Sequence, residues 1–322
     1  MSKNQELGTH TNQRCISSMS DTNNSQPFKI GVIGLGIMGS SFSRNFLASG
    51  FTVFGNDINQ ANVEKFVQHG GIASASASDV VKHSDIVITS LPSVDSFHAV
   101  MSGQNGILST AKENLIVVEC STLAIEDKTL AHNKLAEAGI VLLDCPVSGT
   151  GAQAVTRDLS IYVSGNKSAY EKCEAVFNSM ARKTFFVGEF GNGSKMKFVA
   201  NVLVHIHNVA SAEAMVLAMK AGLDPATTVD VISNGAGNSR IFELRAPMMV
   251  NDDYSAATMK MDVWQKDIHV ISEFAKTLGC PTPLFNAGTV IYEKAMEQGM
   301  EKLDTGSVCR VLERMANVQR SE

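Results

Sequence analysis

The 322-residue sequence contains no C-x-x-C pair, and its six cysteines (Cys15, Cys120, Cys145, Cys173, Cys280, Cys309) are scattered. That spacing gives no disulfide framework and no zinc knuckle, and it suits a reducing compartment. His205 and His207 are two apart on an expected helix, so their side chains diverge and no metal site is expected. No stripe of lysine and arginine appears, and the formal net charge is −5. A nucleic-acid partner therefore has no support. No uninterrupted apolar run approaches the roughly eighteen residues that span a bilayer, so no membrane role is expected. Internal repeats are absent too. Residues 1–27 are rich in Ser, Asn, Gln and Thr, lack an apolar segment, and carry Glu6 and Asp21. This argues against a secretory or transit peptide; the segment reads as a disordered extension and the chain as cytoplasmic.

What is present points to an ordinary globular protein of two domains. Phe28–Ile33 is a short apolar strand that runs straight into Gly34. Further apolar runs follow at 51–54, 85–89, 115–119, 141–144 and 159–163, separated by helical stretches. Such alternation predicts an α/β Rossmann-type, doubly wound parallel sheet over residues 28–190. The texture then changes. Ser194 to Ala221 holds neither Pro nor Gly and is rich in Ala, Met, Leu and Val. It predicts a long helix, apolar on most sides and so buried between two parts of the molecule. Gly222 stands in a C′ position, and Asp224-Pro225 opens the next helix. The rest, to residue 318, reads as helices only, broken at Gly235-Ala236-Gly237 and Pro281-Thr282-Pro283. This second region is an expected all-helical domain, residues 191–318, to which the resemblance given below adds the substrate and oligomerisation roles.

Gly34-Leu35-Gly36-Ile37-Met38-Gly39 fits G-x-G-x-x-G between a strand and a helix. In that setting Gly34 permits the tight turn, Gly36 lets the backbone approach a pyrophosphate, and Gly39 lets the helix pack close. Asp57 lies eighteen residues past Gly39, at the expected end of the second strand. An acidic side chain there accepts hydrogen bonds from ribose hydroxyls and repels a 2′-phosphate by roughly 4 kcal/mol per pair of unit charges at 4 Å and dielectric 20. Ile58 and Asn59 supply no cation, so NAD is favoured over NADP. Asp57 also reads as a turn residue opening a helix.

Two further segments carry a resemblance to a known family. Asp144-Cys145-Pro146-Val147-Ser148-Gly149-Thr150 resembles the D-x-P-V-S-G-G loop of the β-hydroxyacid dehydrogenases, the 3-hydroxyisobutyrate dehydrogenase-related family. Gly191 to Asn201 is similar to that family's G-x-G-x-x-x-K-x-x-x-N segment, and the order of loop, loop and lysine helix agrees over residues 28 to 316. The resemblance implies that Lys197 is the proton-transfer residue of a hydride-transfer reaction on a small hydroxy-carboxylate, with Asn201 beside it. Physical need agrees: the alcohol proton requires an acceptor, and desolvation lowers a lysine toward that task. Lys197 and Asn201, four apart, share one helix face, whereas Lys195 is about 200° away and belongs to solvent. Ser148, Gly149 and Thr150 are implied to bind the substrate carboxylate. Thr150 departs from the family's second glycine; it either limits positive φ or adds a hydroxyl contact. Cys145 is unusual there and reads as a buried structural thiol.

The same resemblance adds Leu91 and Pro92 on the adenosine side of the cofactor, Thr122 (after Ser121) at the nicotinamide end, and Lys266 of Lys266-Asp267 over the cofactor cleft. A strand-end turn, a helix cap and a surface ion pair explain these equally well. Segments 55–59, 234–239 and 262–267 resemble the L-threonate dehydrogenase branch, with Asn238 and Ser239 as contacts for extra hydroxyls. A four-carbon sugar acid such as L-threonate is then the expected substrate, and 3-hydroxyisobutyrate or tartronate semialdehyde the alternative. An imine reductase or a non-catalytic dinucleotide-binding assembly module is expected to have lost Lys197 or Asn201; both stand here. A homodimer or homotetramer through the helical domain is expected.

Overall fold

The structure is a computed structural model that describes residues 28–110 and 112–320. The extension expected for residues 1–27, Cys15 included, lies outside the described residues. Strand β1 (Lys29–Ile33) leads through helix α1 (Ile37–Ala48) to β2 (Thr52–Asn56), and α2 (Gln60–Gln68) leads to β3 (Ile72–Ala73). Helix α3 (Ala77–His83), β4 (Ile86–Thr89), α4 (Val94–Ser102), β5 (Ile116–Glu119), α5 (Ile125–Glu137) and β6 (Val141–Asp144) follow. These six strands form one parallel sheet in the order β3-β2-β1-β4-β5-β6. The order reverses between β1 and β4, and the crevice beyond the strand ends at such a reversal is where open α/β sheets bind ligands.

Period-two alternation builds two cores, one on each face of the sheet. Ile30, Val32, Ile86, Ile88 and Val118 join Phe42 and Phe46 of α1 on one side. Ile33, Val87, Val117 and Leu142 join Val80, Phe97 and Leu135 of α3, α4 and α5 on the other. The sheet is thus doubly wound, as its near-continuous apolar strands require.

The run at 159–163 is the exception. It was expected in the same parallel sheet, but the structure places β8 (Ser160–Val163) in a separate sheet. There it lies between β7 (Val147–Ser148), antiparallel, and β9 (Lys183–Phe186), parallel. The chain turns back after β6, so Asp144 and Ser164 pair antiparallel through both backbone bonds, at 3.0 and 2.9 Å. Helix α6 (Gly151–Val155) joins β7 to β8, and α7 (Lys167–Lys172) and α8 (Glu174–Met180) precede β9.

The remainder is helical: α9 (Asn192–Lys220), α10 (Pro225–Ser233), α11 (Arg240–Asn251), α12 (Met261–Thr277), α13 (Pro283–Glu297) and α14 (Val308–Ala316), with a short 3-10 turn at Thr305–Ser307. Asp224 caps α10 by accepting from the Thr227 N–H at 2.7 Å, and Gly222 stands at φ +79° after α9. Helix α9 packs against α10, α11, α12, α13, α14 and β8. An 18-residue window of it has mean hydropathy 1.4, long and apolar enough to cross a membrane by length and composition; counting uninterrupted apolar runs missed this. Here its inner face carries Lys197, Asn201, His205 and Asn208, all buried beneath its neighbours. The expectation of burial on most sides is corrected: Met196 (43%), Val199 (59%), Leu203 (53%) and Leu217 (71%) are exposed. The helix lies on the flank of its own bundle, and only the face toward its neighbours is covered.

Candidate active site

The glycine loop is shaped by close approaches. Gly34 has φ +89°, and a Cβ there would stand 2.3 Å from the Ser90 carbonyl oxygen; a Cβ on Gly39 would stand 1.8 Å from the Gly34 oxygen. Gly36 is different, since nothing lies within 4 Å of its Cβ position. It is the N-cap of α1, makes no side-chain cap, and is followed by no acidic residue in the first turn. Helix α1 therefore presents unsatisfied N–H groups and the positive end of its dipole to open space, which fits a diphosphate. Asp57 Oδ2 accepts from the Leu35 N–H at 2.6 Å and the Asn62 amide at 3.3 Å, while Oδ1 accepts from the Asn59 N–H at 2.7 Å. The reading of Asp57 as a turn residue holds, since it opens the turn into α2, and its carboxylate is also tied to the glycine loop. Arg44 of α1, Lys65 of α2 and His69 just after α2 line a groove with Leu35, Gly36, Ser40 and Asn62.

Leu91 is buried against Gly34, and its N–H donates to the Ser121 hydroxyl at 2.8 Å. Pro92 beside it is exposed. At the next strand end, Lys266 reaches from α12 to the Thr122 carbonyl oxygen at 2.7 Å. The contact to Thr122 is therefore with its backbone, and it bridges the helical bundle and the sheet.

Lys197 and Asn201 share the inner face of α9, 8% and 3% exposed. Burial holds the Lys197 amine below its ordinary value, the Asp267 carboxylate opposes that shift, and Lys266 adds to it. Asn201 donates from Nδ2 to Asp267 Oδ2 at 3.0 Å. Asp267 is itself buried; desolvation raises its carboxyl, and Lys266, Lys197 and Asn201 pull it back. Lys266 Nζ lies 3.7 Å from Asp267 Oδ1. Lys195 faces solvent and bonds Asn192.

The start of α9 is fixed by a buried ionic chamber. Lys128 of α5, Glu119 at the end of β5 and Asp144 at the end of β6 are each 0% exposed. Lys128 Nζ donates to Asp144 Oδ1 at 2.8 Å and to the Ser121 carbonyl at 2.7 Å, and lies 3.5 Å from Glu119 Oε2. Asp144 in turn accepts from the Ser194 N–H at 2.7 Å and the Ser194 hydroxyl at 2.8 Å. A carboxylate on the first turn of a 29-residue helix is favoured by the dipole as well as by these bonds. Gly193 is required here, because a Cβ would stand 2.5 Å from the Tyr162 carbonyl oxygen. Burial alone pulls the Lys128 ammonium down, but Asp144 and Glu119 hold it above its ordinary value. Desolvation raises Glu119 despite Lys128.

In the Ser148–Thr150 loop, Gly149 takes φ +136°. Thr150 is extended at φ −101° and caps α6, exchanging bonds with Gln153 at 3.0 and 3.4 Å. A glycine is not needed at 150, and the Thr150 N–H and hydroxyl both serve the cap. The Ser148 hydroxyl has no partner among the described residues. Cys145 is fully buried, its thiol raised well above the ordinary value by desolvation.

Residues 29–188 match the family described as the NAD binding domain of 6-phosphogluconate dehydrogenase. Residues 191–312 match the one described as NAD-binding of NADP-dependent 3-hydroxyisobutyrate dehydrogenase. An L-threonate dehydrogenase of Haemophilus influenzae is 34% identical over 89% of this chain and 95% of its own. The chain belongs to the β-hydroxyacid dehydrogenase family. It is an NAD-binding oxidoreductase of the type that acts on CH–OH groups. A 2-(hydroxymethyl)glutarate dehydrogenase of Eubacterium barkeri is 33% identical over 91% of this chain and 97% of its own. The crystal structure of a 3-hydroxyisobutyrate dehydrogenase from Salmonella typhimurium superposes with TM-score 0.81 at 28% identity, over 88% of this chain and 100% of that one.

For a β-hydroxyacid dehydrogenase, the arrangement brings Lys197, Asn201, Asp267 and Lys266 together from α9 and α12, against the strand end at Thr122. Asn238 and Ser239 are engaged otherwise. Asn238 Nδ2 donates to the Ser233 carbonyl at 2.9 Å and Glu243 at 2.8 Å, and Ser239 caps α11. The Asn238 Oδ1 atom is buried without a partner among the described residues. The sequence placed Asn201 beside Lys197 on one helix face; the hydrogen-bond partner found is Asp267, visible in the sequence only as the second letter of Lys266-Asp267. The roles of Lys128 and Glu119 left no sequence signal, since a lysine in an amphipathic helix normally faces solvent.

Proposed function

We propose that this protein oxidises a four-carbon sugar acid such as L-threonate, with Lys197 as the proton acceptor. The observation that carries the mechanism is Lys197 itself: a buried amine, lowered by desolvation, on a helix anchored to the sheet and beside Asp267 and Asn201. NAD, when bound, accepts the hydride from the alcohol carbon. The 34–39 loop at the N-terminus of α1 would hold its diphosphate and Asp57 its ribose, and Leu91, Pro92, Thr122 and Lys266 would complete the cofactor site. Lys197 Nζ, as the neutral amine, takes the hydroxyl proton; Asn201 and Asp267 orient it. The Ser148 hydroxyl and the Gly149 backbone bind the carboxylate. Reduction reverses the proton's path.

The four-carbon reading rests on the similarity to L-threonate dehydrogenases. The alternative, 3-hydroxyisobutyrate or tartronate semialdehyde, keeps every step. NADH formation across threonates, erythronate, 3-hydroxyisobutyrate and glycerate separates them: preference for a branched or three-carbon acid refutes the four-carbon reading. Lys197→Ala should lower kcat about 10²- to 10⁴-fold and retain NADH binding; unchanged turnover refutes Lys197 as the proton acceptor, and a wild type that binds NADH but oxidises none of these acids would be a binding module.

Three further readings belong to the proposal. Residues 28–190 and 191–318 act as the dinucleotide and the substrate domain. Met196, Val199, Leu203 and Leu217 are covered by a second copy of the chain, so light scattering at micromolar concentration should give a dimer or tetramer. The protein works in the cytoplasm, which suits five described cysteines that are all free thiols.

A further inference from the structure

One cleft adjoins the glycine loop yet holds no residue assigned above apart from Ile37. It has a volume of about 450 Å³ and is lined by Ile37, Gly151 and Ala152 on the sheet side and by Ser255–Thr258 and Lys260 on the helical side. Lys260 is the only charged residue of that lining.

Its backbone is held firmly. Asp304, fully buried, accepts at Oδ2 from the Thr258 N–H at 2.8 Å, the Thr258 hydroxyl at 2.8 Å and the Met259 N–H at 3.1 Å. Arg245 closes the other side of that carboxylate at 3.2 Å. Lys260 pairs with Asp304 as an isolated bridge, and the Met261 N–H donates to the Leu303 carbonyl at 3.0 Å. The side chain, by contrast, is uncommitted. Lys260 is the N-cap of α12 without capping it, is exposed, and makes no ion pair or hydrogen bond among the described residues. The nearest acid along the chain, Asp262, is bonded by Lys302 at 2.6 Å. A lysine on a loop fixed by backbone bonds, with no ion pair or hydrogen bond of its own among the described residues, thus lines a cleft together with Ile37, the first residue of the uncapped helix α1.

We propose that Lys260 binds the cofactor's diphosphate from the helical side, so that the Ser255–Lys260 loop and the N-terminus of α1 grip it from opposite walls. The proposal rests on the 34–39 loop being the dinucleotide site. The diphosphate carries two negative charges, and α1 offers only about half a positive charge. Asp57 adds a negative one nearby. Arg44 and Lys65 line the neighbouring groove beside α2, and the Lys260 ammonium adds a cation from the opposite wall, whose lining holds no other charge.

Calorimetric titration of the full-length protein with NADH and with ADP-ribose tests this. ADP-ribose has the diphosphate but neither the nicotinamide nor any substrate carboxylate. Lys260→Met should weaken both about fivefold, the scale of one partly exposed charge contact, and should flatten their salt dependence. Lys260→Arg should restore affinity to within about twofold of wild type on the same scale. Equal affinities for wild type and Lys260→Met overturn the proposal. So does an effect confined to the KM of a dicarboxylate substrate, which would assign Lys260 to a second substrate carboxylate. Failure of the wild type to bind ADP-ribose at all overturns the dinucleotide reading, and this proposal with it. The melting temperature should not move, because the side chain has no partner to lose.

Discussion

Replacing Lys128 by methionine takes the cation out of a sealed chamber that still holds two carboxylates. In the native protein its ammonium donates at 2.8 Å to Asp144 and at 2.7 Å to the Ser121 carbonyl, 3.5 Å from Glu119. All three charged side chains are fully buried. Water cannot replace the lost donor without entering the core, and breaking a buried pair from one side costs about 3–5 kcal/mol. At roughly 2–4 °C per kcal/mol for domains of this size, the melting temperature should fall by about 6–20 °C. The loss should also depend on pH. Desolvation already raises Glu119, so above its ordinary value of 4.5 the folded state binds more protons than the unfolded one. Stability from this group therefore falls as pH rises toward the folded value. Lys128 opposes that rise; without it the penalty grows and extends further upward in pH. Differential scanning calorimetry at pH 5.5 and pH 8 should show the larger deficit at pH 8, and adding Glu119→Gln should shrink the difference. A loss below about 1 kcal/mol, the range of an exposed pair, or an equal loss at both pH values, would refute the assignment of a buried ionic anchor.

Asp267→Asn removes the anion that opposes desolvation of Lys197, so the amine should fall further and the rising limb of kcat/KM for oxidation should shift to lower pH; a superimposable or upward-shifted profile contradicts the pairing. Asp57→Ala should raise kcat/KM with NADP relative to NAD at least about tenfold, because the repulsion of roughly 4 kcal/mol is removed while Arg44 and Lys65 remain in the adjoining groove; an unchanged ratio would separate Asp57 from the ribose.

The local geometry of the proposed cofactor half was largely legible in the sequence. Gly34 and Gly39 are set by close backbone approaches, so spacing and the flanking strand and helix suffice to predict the turn. Lys197 and Asn201 were legible as a pair because four residues along a helix is a fixed geometry. The substrate half was less so. Thr150 raised a question about positive φ that only its observed extended conformation answers, and Asn238 and Ser239 turned out to hold the α10–α11 turn. The 159–163 run has the composition of a parallel-sheet strand, and nothing local shows that the chain turns back before it.

By itself, the sequence determined what acts within a few residues: strand, glycine turn and helix at 29–48, the acidic turn at Asp57, and the lysine face of α9. Tertiary structure decided what those residues meet. Asn201 finds Asp267 across 66 residues, Lys266 finds Thr122 across 144, and Ser194 finds Asp144 across 50. The physical reason is that backbone conformation and helix periodicity are local, whereas the burial that lowers an amine or isolates an ion pair belongs to whatever else folds against it.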